Sequence, residues 1–264
     1  VSYIYMSTKK SGIVNQTSVT MTARSGRVNA VIAGVMECVG RCDGARGRLG
    51  TTTLVLNKPV TAVGEVAPEN ARGKRANTST MWRFGFTNVN PVSTTGILTG
   101  KMLRARCDTE HSDIAGSGCV VPEHVPSIRY SLTGPWPAYA RHVQLAQRSK
   151  LEGTPPTGPL TRTADSARRR ANQRAACPAS LKRPKGYDCD EYPLASTYQG
   201  AKSGGAARVF PGCKMKERRG EGPHGYSRCF IPASHNRGAG AALRHFYEGN
   251  RVHDGDQFYV RITP

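Results

Sequence analysis

Acidic side chains are scarce in this chain: 18 Asp and Glu stand against 38 Lys and Arg over 264 residues, a formal net charge of +20. So large an excess of base favours a polyanionic partner, nucleic acid first and an anionic membrane surface second, with bare solubility as the plainest reading. The base is not a detachable tail, since residues 1–117 hold 15 basic and 7 acidic side chains and residues 118–264 hold 23 and 11. Long apolar runs are lacking too. The longest, around Val28 to Met36, is interrupted by Asn29 and is too short to cross a bilayer, so no membrane span is expected. No charged-then-apolar leader follows Val1, so either a signal has been removed or the sequence is a piece of a longer one. No Cys-x-x-Cys pair occurs among the eight cysteines. That argues against a zinc site or a thiol redox centre and for a disulfide framework in an exported protein. Near-neighbour links are expected, Cys107 to Cys119 first among them.

From Val1 to about Arg106 the pattern is short period-2 alternation broken by turn residues. Val19, Met21 and Ala23 alternate with polar residues, Thr53, Val55 and the run from Val28 to Val35 read as extended, and Trp82, Phe84 and Phe86 share one face. A small antiparallel β domain over residues 1–106 is expected. Nothing in it gathers acid, base and nucleophile, so its role is not legible; Lys74, Arg75 and Arg83 there are solvated bases or phosphate contacts. The polar, Gly-rich stretch from Cys107 to Pro126 marks a boundary, and residues 107–264 read as a second, α+β domain. Ile128, Tyr130 and Leu132 alternate as a strand; Pro137 opens a helix with Tyr139, Val143 and Ala146 on one stripe. His142 beside that stripe reads as structural. Asp165 or Ser166 can cap a helix to Ala176 whose face carries Arg168, Arg169, Arg170 and Arg174, either solvated or set against a phosphate backbone. Gly200 to Gly225 reads as a mobile loop over the site. Ser234 can cap a helix to about Tyr247, where Gly238 and Gly240 allow close backbone approach, and Phe258, Val260 and Ile262 alternate in a last strand.

Against this basic background one stretch stands out. Gly186 to Ala195 holds Asp188, Asp190 and Glu191 beside Tyr187 and Tyr192, at the end of a strand or in the turn after it. Arg162, Arg168, Arg169, Arg170, Arg174, Lys182, Arg183 and Lys185 precede it, and Arg208, Lys214, Lys216, Arg218 and Arg219 follow. A polyanion held by those bases would lie against the carboxylates, and clustered acid there asks for a cation. A hard divalent ion takes oxygen ligands and binds through one or two protein groups plus substrate phosphate. Asn236, at the start of a helix, offers a neutral carbonyl oxygen. Asp190 or Glu191 can deprotonate a water, and Arg237 can balance charge on a phosphorane. From the residues alone, the acids are equally a solvated turn and Asn236 a helix cap.

The run Lys185 to Ala195, followed 39 residues after Pro193 by Pro232-Ala-Ser-His-Asn-Arg-Gly-Ala-Gly240, with Asp254 to Val260 closing the chain, resembles the NucA/NucB family of secreted bacterial deoxyribonucleases. Its Asp-Glu-Tyr-Pro, Asn-Arg-x-Ala-Gly and Asp-Gly-Asp-x-Phe-x-Val elements are most similar to the actinobacterial members. The likeness spans roughly Cys119 to Ile262. It implies a ββα-metal type core and a metal-dependent, largely sequence-nonspecific endonuclease acting on DNA. It further implies Asp190 as general base, Glu191 as supporting acid or metal ligand, and Asn236 as metal ligand. Where Bacillus-type members carry aspartate before that asparagine, this chain has His235, which can be a ligand for a softer ion such as manganese, a proton donor or a helix cap.

The resulting expectation is a secreted hydrolase with magnesium or manganese as its only cofactor. Asp190, Glu191, Arg237 and His235 are the catalytic candidates, Asn236 and Glu191 the metal ligands. Arg168, Arg169, Arg170, Arg174, Lys182, Arg183 and Lys185 are the phosphate contacts. DNA is the expected partner, with RNA and an inhibitor or immunity protein left open and no membrane partner. The rival from another class is a noncatalytic protein that coats extracellular DNA or cell-wall polymer.

Overall fold

Period-2 patterning becomes ten strands before any helix. In the computed structural model, which describes residues 1–23, 30–69, 72–88 and 94–264, these are β1 Ser2–Ser7, β2 Lys10–Thr20, β3 Ala30–Gly40, β4 Cys42–Arg46, β5 Arg48–Thr53, β6 Pro59–Pro68, β7 Arg75–Asn88, β8 Thr94–Thr99, β9 Leu103–His111 and β10 Ile114–Val120. They form one four-stranded sheet, β1-β2-β6-β4, and one six-stranded sheet, β10-β9-β7-β3-β5 with β8 also on β7. Every pairing between them is antiparallel. The core gathers Ile13, Ile32, Met36, Val66, Trp82 and Phe84. Alternation holds where the strand has a core beneath it: Trp82 and Phe84 are buried, whereas Phe86, on the same face, is exposed. Val28 and Asn29 lie outside the described residues.

The chain divides into two compact units, Val1–His124 and Val125–Pro264. The division falls later than residue 106 because Cys107 to Val120, polar and rich in glycine, is not a linker. It supplies β9 and β10, with Cys107 opposite Cys119 in the ladder and opposite Ala76 of β7. Cys107–Cys119 is a disulfide, as are Cys38–Cys42, Cys177–Cys189 and Cys213–Cys229, so all eight cysteines pair with near neighbours.

The second unit is mixed. Its elements are β11 Ser127–Ser131, α1 Pro137–Arg148, β12 Leu160–Thr161, α2 Ser166–Ala176, β13 Tyr187–Tyr192, β14 Ala207–Arg208, β15 Tyr226–Pro232, α3 Ala233–Gly249 and β16 Gln257–Thr263. Strand β16 lies between β11, parallel to it, and β12, antiparallel. A second sheet runs β13-β15-β14, with β13 and β15 antiparallel. Alternate residues of β15 serve two cores: Cys229 and Ile231 pack with Tyr139, Val143, Leu243 and Tyr247 of α1 and α3, while Phe230 packs with Ala176, Cys177 and Cys189 beside α2. The protein as a whole is α+β, and no helix among the described residues is long and apolar enough to cross a membrane.

Helix α2 has no apolar stripe worth the name, and polar anchors hold it. Asp165 caps it by accepting the Ala167 N–H at 2.8 Å. Asn172, fully buried, donates to the Ala195 and Thr197 carbonyls at 2.7 and 2.9 Å, and Cys177 at its end is bonded to Cys189 of β13. Helix α3 starts two residues earlier than a Ser234 cap would set, with Pro232 in the capping position and no side-chain cap.

Gly200 to Gly225 is ordered, contrary to a mobile loop. Arg208 is buried and donates to Ser149 O and Oγ at 2.6 and 2.7 Å, Gly222 O at 2.8 Å and His224 O at 2.7 Å. Cys213–Cys229 ties the segment to β15. A guanidinium with that many fixed acceptors serves the structure.

Candidate active site

The acidic cluster lies inside β13, with Asp188 opposite Ile231 and Asp190 opposite Cys229 in the ladder. It is therefore strand, not turn, and its side chains alternate. Asp188 and Asp190 take the face toward α1 and α3, Glu191 the face toward α2. Because β13 is an edge strand, all three border one open cleft of about 680 Å³. Asn236 of α3, Arg169, Arg170 and Arg174 of α2, and Arg183 from the loop before β13 line it as well, with Tyr139, Gln173 and Gly240. Segments separated by about forty residues thus bring Asp190, Glu191 and Asn236 to the same cavity.

Two of its carboxylates are already engaged. Asp188 receives Nε and Nη2 of Arg237 at 3.0 and 3.3 Å. Asp190, only 5 % exposed, has its Oδ2 at 2.6 Å from Nδ1 of His142. The side chains of Glu191 and Asn236 make no hydrogen bond or ion pair among the described residues; the Cys177 sulfur 3.9 Å from Glu191 Oε2 belongs to a disulfide and has no hydrogen to donate. Arg228, opposite Glu191 in the ladder, is turned instead to the Ala176 carbonyl, 3.1 Å away. Burial pushes the Glu191 carboxyl up to about 8, the charge of Asp190 adds to the shift, and Arg183 opposes it. Burial also holds the Tyr139 phenol well above its ordinary range, with Tyr130 and Asp190 contributing. The Glu191 carboxyl and the Asn236 amide oxygen, without partners among the described residues, thus border the same cleft as two further carboxylates, and oxygen is the ligand type that a hard divalent ion takes.

Other expected site residues fall outside the cleft. His235 accepts the Ala138 N–H at 3.4 Å, at the start of α1, where Trp136 supplies no side-chain cap. Of the three roles open to it, the cap is the one with a contact, and the helix it caps is a neighbouring one. Arg237 is bound to Asp188 at the rim. Arg168 turns away from its helical neighbours: its Nη2 donates to Tyr198 O at 3.0 Å and its guanidinium stacks 4.6 Å from the Tyr198 ring. Lys182 and Lys185 are exposed and do not line the cleft. Arg162 is buried over the Tyr247 ring at 4.5 Å and donates to Val252 O. Gly238 and Gly240 divide in the same way. A Cβ at Gly238 would run into the Trp136 indole, whereas one at Gly240 would meet nothing within 4 Å and would project into the cleft.

His142 carries more than a packing role. It lies on the buried stripe of α1 with both ring nitrogens engaged, Nδ1 by Asp190 and Nε2 by Ser227 Oγ at 2.9 Å. A histidine on an apolar stripe does signal that polar partners exist, but not which ones.

An arginine-walled cleft is suited to anionic groups such as phosphates. Residues 146–261 match the family model of Deoxyribonuclease NucA/NucB, from within α1 to within β16. The matched segment makes up most of the C-terminal unit, which is thus similar to that family of deoxyribonucleases. A comparison with curated proteins finds no match.

Proposed function

We propose that the C-terminal unit is a secreted, metal-dependent and largely sequence-nonspecific endodeoxyribonuclease. The observation that carries the reading is the pair of uncommitted oxygens, on Glu191 and Asn236, in a cleft shared with Asp190 and four arginines. The succession β13, β15, α3, two antiparallel strands and then a helix bearing Asn236, supports a ββα-metal-like core. Four disulfides suit an oxidising, extracellular compartment.

Arg169, Arg170, Arg174 and Arg183 bind the phosphate backbone and set the scissile group against β13. Asp190 takes the proton from the attacking water. Its Oδ2 is occupied by His142, so Oδ1 is the atom that receives the proton. Glu191 and Asn236 would hold a divalent ion, magnesium or manganese, which when bound polarises a phosphoryl oxygen and offsets developing charge. Arg237 neutralises Asp188 beside the incoming phosphate instead of meeting the phosphorane directly. Four arginines along one cleft suit a polyanion such as DNA better than a small phosphoester.

Supercoiled plasmid incubated with the protein tests this directly. Nicking and linearisation with magnesium or manganese, abolished by EDTA, are expected. Retention of intact plasmid on a gel with either metal would establish a noncatalytic polyanion binder and sink the enzyme.

Glu191 makes a separate prediction for the metal-free protein. The unfolded chain loses this proton near 4.5 and the folded one near 8, so between those values the folded state binds the extra proton and stability falls as pH rises. In EDTA, Tm is expected to drop by several degrees more between pH 5.5 and pH 8 than it does in Glu191→Gln, each kcal/mol being worth roughly 2–4 °C in a chain of this size. Magnesium or manganese at pH 8 should recover the loss in the wild type alone. Parallel pH profiles for the two proteins would remove Glu191 from the buried-carboxyl role and from the metal site.

A further inference from the structure

We propose that a buried Ser227–His142–Asp190 chain positions the base of this site, with His142 a positioning residue that acts on DNA cleavage only through Asp190. The proposal rests on the nuclease reading above. His142 is 1 % exposed and Ser227 fully buried, so neither touches substrate. Both nevertheless make polar contacts that packing alone does not require.

The chain crosses three elements. His142 comes from α1, Asp190 from β13, and Ser227 from β15, where it lies opposite Tyr192 in the ladder. An ionised aspartate only accepts hydrogen bonds, so the 2.6 Å contact requires a proton on Nδ1 of His142. In the neutral ring Nε2 is then an acceptor, and the donor within reach is the Ser227 hydroxyl at 2.9 Å. That hydroxyl's alternative, the Tyr192 carbonyl, is 3.4 Å away and makes the weaker bond. Ser227 thus selects the tautomer, and the tautomer holds one oxygen of Asp190, so the carboxylate cannot rotate and its other oxygen stays at the cleft. A base must be held within hydrogen-bond reach of the proton it removes, and among the described residues His142 is the side chain that bonds Asp190. The same 2.6 Å contact draws the edge strand onto α1, so the base is referenced to the rigid helix.

The test compares His142→Leu, His142→Asn and Ser227→Ala with the wild type. Leu fills the space without a donor; Asn places an amide N–H where Nδ1–H was but does not reach Ser227. With wild-type cleavage as the reference, His142→Leu is expected to lose kcat by about 10- to 100-fold, the usual effect of removing a group that orients a working ligand, with KM for DNA unchanged. His142→Asn should regain most of kcat without regaining Tm, since it too loses the Ser227 contact. Ser227→Ala should lower kcat with the ring still in place. Equal kcat in the Leu and Asn variants, or kcat following Tm across the series, would reduce His142 to a packing residue. If the Leu variant does not fold, nitrogen-15 spectra of the wild-type imidazole decide: a proton on Nδ1 of His142 is required, and an unprotonated Nδ1 overturns the proposal. A wild type that does not cleave DNA would overturn the nuclease reading itself, a different failure.

Discussion

Asp190→Asn is expected to lower plasmid cleavage by about 10²- to 10⁴-fold, the usual cost of removing a general base, while DNA binding and Tm stay near those of the wild type. The substitution is nearly isosteric. The amide oxygen it introduces can still accept the Nδ1–H of His142, so the link to α1 and the pairing of β13 with β15 survive. What disappears is the lone pair basic enough to take a proton from water. Affinity should hold or rise slightly, because a negative charge leaves a cleft lined by Arg169, Arg170, Arg174 and Arg183. Single-turnover cleavage with bound fraction measured in parallel separates the two effects. Cleavage within a few-fold of wild type would take the base away from Asp190.

Replacing Arg169, Arg170 and Arg174 together by Ala should act on the other half of the problem. Removing one phosphate-neutralising side chain lowers the slope of log K against log salt by about 0.9 on duplex DNA, so the triple variant should be shallower by roughly 3 and much weaker at low salt. At saturating DNA its kcat should be close to that of the wild type, because none of the three is asked to move a proton. Arg168→Ala is the control within the same helix. Its guanidinium is committed to Tyr198, so its loss should leave the salt slope unchanged and reduce stability by about 0.5–1 kcal/mol for the ring contact. An unchanged slope in the triple variant would remove α2 from the DNA path.

The four arginines of α2 show where the legibility of the sequence stops. Their spacing declared a basic helix, and Asp165 or Ser166 its start, because capping and helical repeat are local. Which arginine faces the cleft depends on what anchors the helix, and the anchor is a buried asparagine, Asn172, bonded to carbonyls more than twenty residues on. With no apolar stripe to orient it, the helix's rotation was not legible. Cys107 to Val120 fails for the related reason that glycine and polar residues mark both linkers and edge hairpins; only pairing with β7 separates them. Arg208 and Arg162 counted as phosphate candidates by charge, and burial assigned both to structure.

Local chemistry alone settled the excess of base, the helix begun by Pro137, the basic helix capped by Asp165 or Ser166, and the acidic motif with its family likeness, and it raised the expectation of near-neighbour cysteine pairing. All of these depend on contacts between residues close in the chain or on composition. Tertiary structure decided that Asp190 is held by a histidine 48 residues earlier, that His235 and Arg237 leave the cleft, and that Glu191 and Asn236 remain uncommitted within it. Those outcomes are set by which side chains a three-element crossing brings within hydrogen-bond reach, and no property of the separate segments contains that distance.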